Sequence, residues 1–360
     1  MLNRIVALTA VAVLALTIPA WGWSNKEHLQ LTRIAALRLI NSPDTPADMK
    51  AWLREAMPGI TDMEAEKQFF LNARVGPYPI GAQGLSFWAT VPDMDVATAK
   101  AGREEKIAPF DAPERLMHYI DIEFFNPDES KRVYTDDLST KPKVDDVPHD
   151  LNDPRWPRSG YLPFRVEQCY GELVRQLKAG RLVSKPGQFP RDEHAMKWAG
   201  FLAHYLEDNT QPQHATIDFQ SKTYFKNKRG APNVHADVEY RLVDDDKADY
   251  MPVRQQLWND FVKALDEVKD PVDTDDLFRA TVEVSLTSYD ALPMIGHAAV
   301  AAYGSDREPG EFDAAKFAGF KGKYLGREMT VSEMKAHQLA WAVKRVERVW
   351  LRAWKEAKAN

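Results

Sequence analysis

The stretch "EHAMKWAGFLAHYLED" (193–208), continued by "NTQPQH" (209–214), decides the fold class. Ala195, Trp198, Ala199, Leu202 and Leu206 recur at three- and four-residue spacing and form one broad apolar stripe, the pattern of an amphipathic helix. "SNKEHLQLTRIAALRLI" (24–40) opens on a capping-box pattern, Ser24 with Glu27 three later, and stops before Pro43. "LFRATVEVSLTSYDAL" (277–292) and "SEMKAHQLAWAVKRVERVWLRAWKEA" (332–357) read the same way. No run of alternating strands and no internal repeat stands out. The expectation is an all-α, multi-helix single domain with extended loops and additional C-terminal helices. Trp341, Trp350 and Trp354 fall roughly at helical spacing, a core stripe in preference to a membrane-docking face.

Two stretches break the pattern. Residues 126–163 are rich in Asp, Pro and Lys and poor in apolar positions, so they read as a loop-rich surface excursion within one domain, 23–360. Residues 304–328, with "GFKGKYLGRE" at their end, read as another irregular connection. At the start, Arg4 precedes "IVALTAVAVLALTIPA" (5–20), too short for a confident membrane span and suited to a secretory leader, residues 1–22. Cleavage after Gly22 places Ala20 and Gly22 at the small-residue positions and leaves Trp23 first; cleavage after Ala20, leaving Trp21 first, is the alternative. The expected location is secreted or periplasmic, with no transmembrane segment in the mature chain.

The whole chain has a formal charge of −6, and the mature chain, without Arg4, carries −7. A coat for polyanions is thereby disfavoured. Cys169 is the only cysteine, so no internal disulfide braces an exported chain and its core or metals must do so. Within "FRVEQCYGELV" it reads as a helix packing residue and not a nucleophile.

The chemistry concentrates in 204–239. His204 and Asp208 stand four apart at the end of the expected helix, which puts both on one face. Asn209 and Pro212 stop that helix, and the turn returns His214 to the same end. "NVHADVEYRLV" (233–243) supplies His235 and Glu239, again four apart. One such pair is commonly a helix-surface contact; two, with His214 between them, have the spacing of metal ligands.

"FLAHYLEDNTQPQHA" followed by "VHADVEYRLV" resembles the core of the superfamily that joins bacterial zinc-dependent phospholipases C with fungal single-strand-specific nucleases. Its members carry a HYLGD-like helix, a QPxH turn and a later His-x-x-x-Asp/Glu helix. The resemblance implies an N-terminal tryptophan whose amino nitrogen and carbonyl oxygen bind zinc, matched by Trp23, and a nearby histidine, matched by His28 in "WSNKEH". "LMHYID" matches a further ligand histidine at His118, and "FWATVPDMD" offers Asp93, with Asp95 as the second choice. Three Zn2+ ions per chain are then expected. Asp93, His118, His204 and Asp208 would hold one; His214, His235 and Glu239 a second; Trp23 and His28 a third, bridged by Asp208. His149, His194, His297 and His337 receive no role. Three residues depart from the family pattern: Glu207 stands at a glycine position, Glu27 precedes His28 where nucleases have glycine, and Gln213 replaces an apolar residue. Extra carboxylates there could compete as ligands or tighten access.

The implied activity is hydrolysis of a phosphodiester by a zinc-bound hydroxide, with Asp93 as a catalytic candidate that orients or deprotonates the water. Three zincs less three carboxylates leave roughly +3 in the cleft, which suits a phosphodiester. The substrate branch stays open. "YLPF" (161–164) and Glu239 favour a phospholipase C, whereas the Trp23-to-His28 spacing and the interval from His214 to His235 favour a single-strand nuclease. "SKTYFKNKRG" (221–230) interleaves Lys222 and Lys226 with Tyr224 and Phe225, a weak candidate for phosphate and base contacts or a headgroup surface. The order of preference is phospholipase C, then nuclease, then a non-catalytic helical protein with structural zinc. No stable protein partner is inferred.

Overall fold

The computed structural model describes residues 23–72, 84–98, 105–183, 194–243, 250–270, 272 and 274–359; the leader (1–22) and Trp21 lie outside them. The described chain is all-α. The N-terminal helices are α1 (Asn25–Asn41), α2 (Ala47–Ala56) and α3 (Met63–Leu71), followed by the short α4 (Leu85–Trp88) and α5 (Val91–Thr98). After a region of 3-10 turns come α6 (Trp156–Ser159), α7 (Leu162–Lys178) and α8 (Ala195–Asp208). Then follow α9 (Val234–Ala236), α10 (Met251–Glu267), α11 (Leu277–Tyr289), α12 (Leu292–Tyr303), α13 (Ala314–Gly319) and α14 (Val331–Lys358).

The capping box at Ser24 forms as expected: Ser24 Oγ accepts from Glu27 N at 3.2 Å and Glu27 Oε2 accepts from Ser24 N at 3.1 Å. Thr330 and Glu333 start α14 in the same way. At 28 residues, α14 runs about 42 Å. It lies against α1, α7, α8 and α10, so the C-terminal third shares one apolar core with the N-terminal helices. Trp341, Trp350 and Trp354 are buried, which makes them a core stripe. Trp350 Nε1 donates to Ala199 O at 3.1 Å, tying α14 to α8, and Trp354 stacks on Trp52 with centroids 5.2 Å apart. Cys169 is buried on α7, where burial pushes its thiol up to about 12; it is a packing residue.

Residues 126–163 are irregular, with 3-10 turns at Glu129–Lys131, Leu138–Thr140 and Val144–Asp146 before α6. Tyr134, Val147 and Trp156 anchor the excursion by entering the core. Residues 304–328 correct the expectation of a merely irregular connection. They contain α13 and a β-hairpin, Lys321–Tyr324 paired antiparallel with Arg327–Thr330. Leu325 and Gly326 both have positive φ, 51° and 72°, the two-residue turn that matches strand twist. Four-residue strands, one of them containing a glycine, leave too little alternation for the pattern to be read. A second two-stranded pairing, Lys106–Ile107 with Ala112–Pro113, is shorter still. Among the described residues no helix is long and apolar enough to cross a membrane.

Candidate metal centre

The centre is assembled where α8 ends. Asn209 closes the helix and fixes its end by donating Nδ2 to Thr281 O (3.0 Å) and Ser285 Oγ (2.7 Å) on α11. Gln211 then caps the turn Pro212–Ala215, its Oε1 accepting from Gln213 N at 2.6 Å. Its Nε2 donates to Glu239 Oε1 at 3.1 Å, so one side chain links the turn to the later pair. His214 is turned back towards Asp208, with Nδ1 3.9 Å from Asp208 Oδ1. His235 and Glu239 lie on α9 and the π-turn Asp237–Arg241 that continues it, and the two side chains touch. Such π-turns are uncommon and are frequent at functional sites.

A glycine lets the other half approach. An added Cβ on Gly200 would lie 2.4 Å from Trp88 Cβ and 2.8 Å from Leu85 O, so only glycine on α8 admits α4 this closely. The contact brings Ala89 O to 2.8 Å from His204 Nδ1 and starts α5 with Asp93 facing the cluster. His118 follows the 3-10 turn Glu114–Met117 and is pinned to the 212–215 turn from both sides. His214 Nδ1 donates to His118 O at 2.7 Å, and Ile120 N donates to His214 O at 2.9 Å.

The eight side chains form three triads, the first two sharing His204: His28, His204 and Asp208; Asp93, His118 and His204; His214, His235 and Glu239. The donor atoms of each triad lie within 4.8 Å of one another, and all eight residues are buried. His204 Nε2 sits 3.1 Å from Asp208 Oδ2 and 3.8 Å from Asp93 Oδ1; His118 Nδ1 is 3.0 Å from Asp208 Oδ2. His28 Nε2 is 3.3 Å from Asp208 Oδ1 and 3.8 Å from Asp93 Oδ2, so Asp208 stands between the first two triads. Asp95 is exposed on the other side of α5, and Asp93 is the aspartate that joins the cluster.

Electrostatics support a cation-binding role. Both oxygens of Asp93, His28 Nε2, His118 Nε2, Asp208 Oδ1 and Glu239 Oε2 are buried without a hydrogen bond among the described residues. Leaving that many buried polar atoms unsatisfied is costly, and a bound cation satisfies them together. Burial opposes charge on Asp208, but the imidazoles of His204 and His214 and the bonds from His118 and His204 hold its carboxyl well below the usual range. Burial, with Asp93 and other carboxylates nearby, pushes Glu239 well up. For His28, burial disfavours the imidazolium, yet the close Asp208 carboxylate and Glu207, hydrogen-bonded to its Nδ1, raise it well above the ordinary value. Imidazole nitrogens and carboxylate oxygens together suit divalent transition metals, and binding one here would release protons.

Trp23 is wholly buried at the same end of α8. Its Nε1 donates to Glu207 O at 2.9 Å and contacts Thr210 Oγ1 at 3.3 Å, with Lys335 Nζ 5.1 Å from the ring centroid. Lys335 also pairs with Glu27 at 2.7 Å, so Glu27 is engaged by a cation of the protein itself. Gln213 Nε2 donates to Ser221 Oγ at 3.3 Å.

The proposed substrate segment is only partly available. Lys222 is exposed, and Lys226 pairs with Asp306 at 3.0 Å. Tyr224 is half-buried, its hydroxyl bonded to Asp136 and Tyr134 and its ring above Gly296. Phe225 is corrected as a stacking candidate. It is 2 % exposed and packs near Tyr303, because the apolar ring is driven into the core while the lysines stay solvated. Sequence reasoning missed Gln211, Gly200 and Ala89 O, which carry no motif of their own.

Of the other histidines, His194 caps α8 by accepting from Lys197 N, and His149 pairs with Glu167 and stacks on Phe278. His297 faces Asp136, and burial lowers His337 to about 4. Comparison with protein-family profiles, curated proteins and solved structures finds no match.

Proposed function

We propose that the chain is a zinc-dependent phosphodiesterase whose centre is the cluster of His28, Asp93, His118, His204, Asp208, His214, His235 and Glu239. One observation carries the reading: these side chains, drawn from five separate stretches of sequence, meet as three buried triads in which both Asp93 oxygens, His28 Nε2, His118 Nε2, Asp208 Oδ1 and Glu239 Oε2 have no hydrogen bond among the described residues. Nitrogen and oxygen donors in sets of three are the ligand types of catalytic zinc, and we expect three ions, with the Trp23 amino and carbonyl groups completing one site. Bound zinc supplies Lewis acidity and a water acidic enough to ionise near neutral pH. The chain's own residues do the rest. Asp93 Oδ1 or Oδ2 accepts the proton of the attacking water, and Lys222 lies on the segment that would meet a phosphate.

The preferred substrate is a phospholipid, with single-stranded nucleic acid second. Phe219, 39 % exposed with its ring 5.8 Å from His235, and exposed Ile217 give the triad an apolar lip suited to a substrate with an apolar part. The leader reading places the protein outside the cytoplasm, with Trp23 as the first mature residue; N-terminal sequencing of the exported protein checks this. The complete burial of His28, His204, Asp208 and Glu239 favours a second reading, in which zinc only staples the helices. Turnover of bis(p-nitrophenyl) phosphate, phosphatidylcholine and denatured DNA by purified mature protein separates the cases. Metal-dependent hydrolysis is expected, with phosphatidylcholine the best substrate. Cleavage of DNA alone reverses the substrate order, and zinc without turnover of any of them supports the staple.

A further inference from the structure

Each ligand histidine must present one ring nitrogen to a cation, and whatever holds the other nitrogen decides which one is presented. For His204 that holder is Ala89 O at 2.8 Å, and for His214 it is His118 O at 2.7 Å. Both are backbone carbonyls that no side-chain substitution removes. His28 differs. Its Nδ1 lies 2.7 Å from Glu207 Oε2, a buried carboxylate, while its Nε2 faces Asp208 and Asp93.

We propose that Glu207 is the positioning residue of this centre: through its carboxylate it fixes the ring and tautomer of His28, so that Nε2 is the nitrogen offered to the cation shared with His204 and Asp208. The inference rests on the metal reading above. Glu207 is not itself a ligand, because both oxygens are engaged: Oε2 by His28 Nδ1 and Oε1 by Thr32 Oγ1 at 2.9 Å. Thr32 stands one turn after His28 on α1, so α1 supplies both the ligand and the clamp on its support. The backbone of Glu207 adds a third hold, its carbonyl accepting the Trp23 indole at 2.9 Å. One residue therefore ties α1 and the Trp23 end to the turn of α8 that carries Asp208. A carboxylate behind a ligating imidazole also raises its basicity, and losing such a partner weakens metal affinity by about 10–100-fold.

The test is titration of metal-stripped mature protein with Co2+, read by visible absorption and by the number of tight sites. His28→Ala and Glu239→Gln define which part of the signal belongs to which triad. Glu207→Ala is expected to reproduce the His28→Ala change, weakening that class of sites by about 10–100-fold while leaving the Glu239-dependent class intact. Adding Glu207→Ala to His28→Ala should cost nothing further, since the two act through one ligand. Glu207→Gln preserves shape and one acceptor, so it serves if the alanine variant does not fold; a smaller loss in the same class is expected. A cobalt isotherm and spectrum in Glu207→Gln or folded Glu207→Ala identical to those of the unaltered protein would overturn the proposal. Equal loss from both classes would overturn it too, because that is what general destabilisation gives. Failure of the unaltered protein to take up cobalt would overturn the metal reading itself, a separate result.

Discussion

Arg33 and His28 sit on the same helix, little more than one turn apart, and both are buried against carboxylates. Arg33 meets one carboxylate, Glu66: Nε bonds Oε1 at 2.9 Å and Oε2 at 3.1 Å, and Nη2 bonds Oε1 at 2.7 Å, with Gly59 O a further acceptor at 3.3 Å. One cation faces one anion, and the geometry is bidentate. His28 instead faces Glu207, Asp208 and Asp93, within a cluster of five imidazoles whose carboxylates keep unpartnered oxygens. Burial alone is therefore no sign of a site. The first cluster is complete within the chain, and the second keeps buried donor atoms that a cation could complete.

That contrast can be broken at several points. The largest effect is expected from chelation. Each site saturated at a thousand times its dissociation constant adds about 4 kcal/mol, so stripping the metal should lower the melting temperature by on the order of 10 °C. Calorimetry with and without chelator measures this, and an unchanged melt would remove the difference between the two ends of α1. Next comes the pair itself. Glu66→Ala leaves Arg33 buried without its ion partner and should cost about 3–5 kcal/mol, the same with or without metal. Asp93→Asn should behave oppositely in the two states, destabilising the metal-loaded protein and leaving the stripped protein equally or more stable. Denaturant melts of both forms check the pair of signs.

A third region sharpens the comparison because it is acidic but unlike either cluster. Glu123 is buried, accepting from Thr216 Oγ1 at 2.5 Å and Ile217 N at 3.2 Å, and burial outweighs these bonds to raise its carboxyl from 4.5 to about 7. Its contribution to stability is fully present below about 4.5 and is lost as pH rises through about 7. The loss is on the order of 3 kcal/mol. Glu123→Gln should flatten the stability profile over that window and exceed the unaltered protein above it, as melts across pH would register. The smallest effect is expected at the helix contact. Gly200→Ala forces α4 off α8 and should cost about 1–3 kcal/mol by overpacking. It should also weaken cation binding by shifting Ala89 O and Asp93, which metal titration would detect.

The helices were legible because their apolar stripes are long and their caps explicit, as at Ser24 and along 195–208. The two i, i+4 pairs were legible because both members of each lie on one local element. His28, Asp93 and His118 could be placed only through resemblance, since no local rule brings together residues separated by tens to hundreds of positions. The supports were invisible for a different reason. Ala89 contributes a backbone carbonyl, Gly200 an absence of side chain, and Gln211 an amide that reaches two elements at once. Glu207 left one trace, a carboxylate at a position where the resembling family has glycine. Its role as a partner of His28 Nδ1 emerges only once α1 is seen to cross the end of α8. Phe225 was misplaced because an aromatic among lysines reads as exposed until the core that receives it is known.

The most direct measurement is diffraction from crystals of zinc-loaded mature protein on both sides of the zinc absorption edge. Convergence of these donors on cations predicts anomalous peaks inside the triads, about 2.0–2.2 Å from the imidazole nitrogens and carboxylate oxygens. Density without an anomalous signal at His28, His204 and Asp208 and at His214, His235 and Glu239 would contradict it.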